Sequence, residues 1–95
     1  MPIEFDPAKR RRVLQERGLD LALCDEVFAR FHLTRRDEAH SDEEARFTTL
    51  GLIGETVVIV IWTPRESHRR IITMWKANDR ERTKFQALCE RHGRS

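Results

Sequence analysis

The sequence predicts an α+β fold: a small antiparallel sheet of about four strands, with two N-terminal helices and one C-terminal helix. Three observations carry that expectation. Apolar residues recur at spacings of three and four from Leu21 to Phe31 and again from Phe85 to His92, the period of a helix with one buried side. Between these stretches lie segments of strand length and character, 46–53, 56–63 and 69–75. Gly54-Glu55 joins the first two, and glycine at the first of two turn positions is the pattern of a type II′ hairpin.

Taken in order, Ile3-Glu4-Phe5 alternates as a short strand. Asp6 then caps a helix whose first residue is Pro7, where the missing N–H costs nothing, and Gly18 stops that helix after Arg17. Its apolar face is thin, mainly Ala8, Val13 and Leu14, so Arg10, Arg11 and Arg12 face water or a ligand. Asp20 caps the second helix, with Leu21, Cys24, Val27, Phe28 and Phe31 as its buried stripe. Residues 32–36 suit a strand, and the acidic stretch from Asp37 to Glu44 suits a loop. Segment 56–62 is apolar on both faces, which places it in the centre of the sheet. Residues 63–67 read as a turn, broken by Pro64 and Ser67. Asn78 and Glu81 have capping-box spacing at the start of the last helix, which Gly93 ends. Phe28, Phe31, Val58, Val60, Ile72 and Leu88 are the expected core.

Ninety-five residues make one domain, 1–95, with a modest core. A charged fraction of 36% beside a hydrophobic fraction of 39% fits a globular domain and excludes a disordered tail. The longest apolar stretch, Val57 to Trp62, is strand-sized, so no membrane association is expected. The opening residues lack the basic start and apolar middle of a signal peptide, which points to the cytoplasm. Cys24 and Cys89 fall on apolar helix faces and read as reduced, buried thiols. The four histidines are scattered and no metal-ligand spacing occurs, so neither metal nor cofactor is expected. Net charge is +2, but residues 64–95 hold nine basic and four acidic residues, which suits a phosphate backbone or an acidic partner.

Local patterns then line up along nearly the whole chain. They are Ile3-Glu4-Phe5-Asp6-Pro7-Ala8-Lys9, Gly18, Glu26-Val27-Phe28 and His40-Ser41, then Glu43-Glu44-Ala45-Arg46-Phe47 with Leu50-Gly51. Arg70-Ile71-Ile72-Thr73, Lys76-Ala77 and Glu81-Arg82 continue the series. In this order and spacing they resemble the BrnT toxins. The resemblance implies a RelE-like ribonuclease fold, messenger RNA as substrate, and a cognate antitoxin of ribbon-helix-helix type, through which alone operator DNA is contacted. Two positions depart from the family pattern. Thr73-Met74-Trp75 stands where Ser-Ala-Arg is common, and Phe85 stands where a tyrosine is often found.

RNA cleavage without a metal needs a base near the 2′-hydroxyl, cations around the phosphorus, and an acid for the leaving oxygen. His40 titrates near neutrality and suits either proton role; an exposed loop histidine is the plain alternative. Glu43 and Glu44 can orient it or act as base. Arg46, Arg70, Lys76 and Arg82 are the candidate phosphate-holding cations, and surface ion pairs are their plain alternative. Strict alternation puts Arg70, Ile72 and Met74 on one side of their strand and Arg69, Ile71, Thr73 and Trp75 on the other. That pattern does not decide which arginine faces the cleft, and the resemblance favours Arg70. Lys9 sits in the first turn of its helix against the dipole. Trp75 suits stacking on a base, or a core or interface position. The antitoxin is expected to cover the cleft with acidic and apolar side chains. A non-catalytic module that binds an antitoxin and modulates DNA-bound repression is the competing expectation.

Overall fold

A computed structural model of the chain describes residues 1–37 and 45–93. Strand β1 (Ile3–Phe5) leads into α1 (Pro7–Arg17). A short 3-10 turn (Leu21–Leu23) runs into α2 (Cys24–Ala29), and β2 (Leu33–Arg36) follows. Then come β3 (Phe47–Ile53), β4 (Thr56–Arg65), β5 (His68–Lys76) and α3 (Asp79–Gly93). The strands form one sheet in the order β1-β5-β4-β3-β2, so the apolar β4 is central as its sequence implies. β2 to β5 form an antiparallel meander. β1 pairs parallel with β5, so the sheet is mixed and five-stranded where an antiparallel sheet of about four was expected. The chain crosses through the helical layer between β1 and the meander, and a connection of that kind permits parallel pairing.

The helix ends follow their sequence signals. The Asp6 side chain accepts from the Ala8 amide, Pro7 opens α1, and Gly18 closes it at a φ of 68° with its N–H on the Leu14 carbonyl. Asp20 accepts from the Ala22 amide. Asn78 and Glu81 exchange two hydrogen bonds of 2.8 Å each as a capping box. The β3–β4 turn has Gly54 at a φ of 59°. α2 clamps that turn from below: Arg30 donates to the Gly54 carbonyl and Glu26 accepts from the Gly54 amide. The second hairpin is tighter than its sequence suggested. β4 runs through Pro64 to Arg65, leaving Glu66-Ser67 as the turn, with Glu66 at a φ of 54°.

Two layers result. The helical layer, α1 through α2, packs on one face of the sheet over Val58, Val60, Trp62, Ile71 and Met74, with Val13, Leu21, Cys24 and Val27 buried from the helices. Trp62 donates its indole N–H to Thr49, whose hydroxyl meets that of Thr34, so the polar atoms enclosed there are satisfied. α3 lies on the other face. Phe85 is completely buried, Phe31 packs against it, and Phe31 stacks on His92. α3 therefore crosses the sheet from the end of β5 towards the start of β2. Of the expected core, Val58 and Val60 are fully buried, whereas Phe28, Phe31, Ile72 and Leu88 are half-buried. Leu14 and Ala8 are exposed, so α1 is held chiefly by Val13. Among the described residues no helix is long and apolar enough to cross a membrane.

Candidate active site on the open face of the sheet

A bulge decides which arginine faces which side. Ile61 pairs with Thr73, but Trp62 pairs with Ile71, so β5 carries one extra residue there. The extra residue shifts the alternation. Ile71 and Met74 both face the helices, which strict alternation forbids, and Arg69 joins them. Its guanidinium lies 4.0 Å from the centroid of the Phe28 ring and 5.2 Å from that of Trp62, where it closes the end of the core. Arg70 is thereby turned to the opposite face, level with Thr63.

On that face three strands bring a polar row together. Arg70 pairs with Thr63 across the β4–β5 ladder. Arg46 immediately precedes Phe47, whose partner is Trp62, so Arg46 comes level with Thr63 from the other side. With strands about 4.8 Å apart, the two arginine backbones stand about 10 Å from each other, a span their side chains can close. Thr63 is buried and donates to the Ala45 carbonyl, which fixes the path of the chain into β3 and with it the position of Arg46. The Asp37 amide donates to the Arg46 carbonyl and closes the β2–β3 ladder at the same end. Beyond Arg70, Glu4 on β1 approaches its guanidinium at 3.8 Å, a long and half-exposed ion pair.

The other sequence candidates are dispersed. Trp75 lies on the same face and lines a groove between the sheet and α3, with Leu33, Leu50 and Ile59 beside it. Lys76, the next residue, pairs with Val58 at the exposed end of β5 and falls on the helical face. Arg82 sits in the first turn of α3 and donates to Asp79 at 2.9 Å, largely in solvent. Lys9 belongs to α1, in the layer behind the sheet. His40, Glu43 and Glu44 lie outside the described residues. The segment that carries them leaves β2 after Asp37 and returns at Ala45, the end of the sheet where Arg46 stands.

Three cations that line the groove, Arg35, Arg36 and Lys84, were not among the sequence candidates. Arg35 on β2 and Lys84 on α3 line its margins. Alternation with Leu33 marks Arg35, and adjacency to the buried Phe85 marks Lys84, so both signals were present in the sequence. Cys24 is buried, and that burial pushes its thiol up to about 12, so it does not ionise near neutrality. Its sulfur packs 3.8 Å from that of Met74.

A family model described as ribonuclease toxin, BrnT, of type II toxin–antitoxin system matches residues 5–81. No curated protein matches the chain.

Proposed function

The chain belongs to the BrnT family of ribonuclease toxins of type II toxin–antitoxin systems, and from that premise we propose a metal-independent endoribonuclease of the mRNA-interferase kind whose phosphate site is the Arg46–Thr63–Arg70 row. Membership implies an RNA substrate and an antitoxin that is itself a protein. The observation that carries the proposal is the ladder register, which sets Arg46 and Arg70 on either side of Thr63 on one face.

In this reading the two guanidinium groups hold the non-bridging oxygens of one phosphodiester and oppose the charge that builds on them. The ribose 2′-oxygen forms a new bond to phosphorus as the bond to the 5′-oxygen breaks. The 2′-hydroxyl proton passes to a base and the departing 5′-oxygen takes a proton from an acid. His40, with Glu43 or Glu44, fills these proton roles, because their segment leaves and re-enters the sheet beside Arg46. Lys9, Lys76 and Arg82 contribute at most peripheral contacts to the RNA backbone, since the fold does not gather them around Thr63. The same proposal takes residues 1–95 as one RelE-like unit acting in the cytoplasm. It also takes the antitoxin as a ribbon-helix-helix protein through which operator DNA is contacted.

A second reading, a non-catalytic module that binds the antitoxin and modulates repression, draws on Phe85 and Trp75. Phe85 is wholly enclosed and has no hydroxyl to offer, and Trp75 offers an indole and no positive charge. Expression in a bacterial host separates the two. The nuclease reading expects growth arrest from the unaltered chain, relieved by His40→Ala and by Arg70→Ala with folded protein present. Equal growth of all three strains favours the module.

A further inference from the structure

β1 joins the sheet by pairing parallel with β5, and that pairing brings a carboxylate to the open face. Ile3 and Phe5 pack against the core on the helical side, so Glu4 between them points the other way. The register sets Glu4 beside Arg70, Arg70 beside Thr63, and Arg46 level with Thr63 from β3. The polar row thus crosses four strands and has an acid at one end. The Glu4 Oε1 lies 3.8 Å from Nη1 of Arg70, beyond hydrogen-bond distance. The Glu4 side chain is 37% exposed and that of Arg70 35%, so solvent and substrate reach both.

We propose that Glu4 is the base that takes the 2′-hydroxyl proton during cleavage, a role that rests on the nuclease reading of the Arg46–Thr63–Arg70 row. In-line displacement sets the attacking 2′-oxygen and the departing 5′-oxygen on opposite sides of phosphorus, so their two proton carriers stand on opposite sides as well. The segment that bears His40 re-enters the sheet at the Arg46 end. Glu4 stands at the Arg70 end, three strands away, or about 14 Å at about 4.8 Å per strand. A phosphate oxygen sits about 2.7–2.9 Å from the guanidinium nitrogen that holds it. A phosphate on Arg70 therefore lies beside the Glu4 carboxylate, which exchanges its long contact with Nη1 for the hydroxyl of the adjoining ribose. An ionised carboxylate only accepts hydrogen bonds, so it serves as base and leaves the acid role to His40. In the reaction Glu4 gains the 2′-hydroxyl proton and the 2′-oxygen bonds to phosphorus. The bond to the 5′-oxygen breaks, that oxygen gains a proton from His40, and Glu4 then returns its proton to water. Two plainer roles compete. A surface ion pair of this length contributes little and has no effect on cleavage when removed. A carboxylate that only orients Arg70 weakens RNA binding when removed.

The test compares the unaltered chain with Glu4→Gln, Arg70→Ala and Glu55→Gln, the last an exposed carboxylate in the β3–β4 turn at the far end of β4. Glutamine keeps the shape of the side chain, and circular dichroism checks the fold of each variant. Single-turnover cleavage of a defined RNA reads the chemistry. Binding of the same RNA fully 2′-O-methylated, which has no proton to lose, reads affinity. Glu4→Gln lowers the cleavage rate at least about 10²-fold, as loss of a positioned base does. It binds the methylated RNA within about twofold of the unaltered chain, whereas Arg70→Ala binds it more weakly. Glu55→Gln matches the unaltered chain in both. Cleavage by Glu4→Gln within about threefold of the unaltered rate overturns the proposal, because no transition-state contact is then lost. Binding reduced to the Arg70→Ala level overturns it too and makes Glu4 a positioning residue. Absence of cleavage by the unaltered chain overturns the nuclease reading and this role with it, so the two failures are told apart.

Discussion

Arg69 rests its guanidinium on the Phe28 ring, 4.0 Å from the centroid, while its sequence neighbour Arg70 faces the opposite side of the sheet beside Glu4. Two adjacent arginines thus have separate duties, one in the core and one at the candidate site. Arg69→Ala is expected to destabilise the domain by about 1–2 kcal/mol, from a lost cation–π contact and lost packing of the stem. Arg69→Met keeps the stem and removes the Nε that is enclosed without a partner, so it falls closer to the unaltered protein. Arg70→Ala shifts stability by less than about 1 kcal/mol, because its ion pair is long and half-exposed. Urea unfolding measures all three. A larger loss for Arg70→Ala than for Arg69→Ala contradicts the assignment.

Gly51 marks where α2 presses closest on β3. A Cβ there lies 2.5 Å from Val27 Cγ1. Gly51→Ala is expected to cost about 1–3 kcal/mol by overpacking. Val27→Ala frees the space, so the double variant loses less than the sum of the two single ones. Strict additivity in denaturant midpoints counts against this contact.

Much of this architecture is legible in the sequence. Asp6, Pro7, Gly18, Asn78, Glu81 and Gly54 act within a few residues of their own positions, so reading them needs no tertiary information. The parallel pairing of β1 was not legible, because three residues give no signal of the partner they will find sixty-odd positions away. The orientation of Arg70 was hidden by the bulge at Ile72, since one inserted residue reverses every alternation inference beyond it. Arg46 and Arg70 were candidates by residue type, and Thr63 was not. The row itself depends on register, which Phe47↔Trp62 and Thr63↔Arg70 fix only in three dimensions.

Glu66 holds a left-handed φ of 54° at the tip of the β4–β5 hairpin and is exposed. A side chain there costs about 1–2 kcal/mol, and glycine gives back part of that in unfolded-chain entropy. Glu66→Gly is expected to be neutral to about 1 kcal/mol stabilising, and Glu66→Val destabilising. Thermal unfolding decides, and the reverse order sinks the argument.

Asp20 links the start of the second helical segment to α1. Hydrogen bonds from Arg10 and then from the Ala22 amide hold its carboxyl below the ordinary carboxylate range. A lowered folded pKa stabilises the fold above the unfolded value of about 3.9 and loses that contribution as pH falls through the folded value. Asp20→Ala is therefore expected to cost about 1 kcal/mol at neutral pH, the usual worth of a cap. The gap from the unaltered protein narrows below about pH 4. A gap that stays constant from pH 7 to pH 2 contradicts the linkage.

Cleavage of a defined RNA by the purified chain in excess EDTA tests whether the Arg46–Thr63–Arg70 row serves RNA cleavage. The prediction is cleavage that persists with the chelator and leaves a 2′,3′-cyclic phosphate on one product and a free 5′-hydroxyl on the other. Arg46→Ala and Arg70→Ala each lower the rate by about 10²–10³, as loss of one charge-stabilising contact does. No cleavage by folded protein, cleavage abolished by EDTA, or undiminished rates in both arginine variants contradicts it.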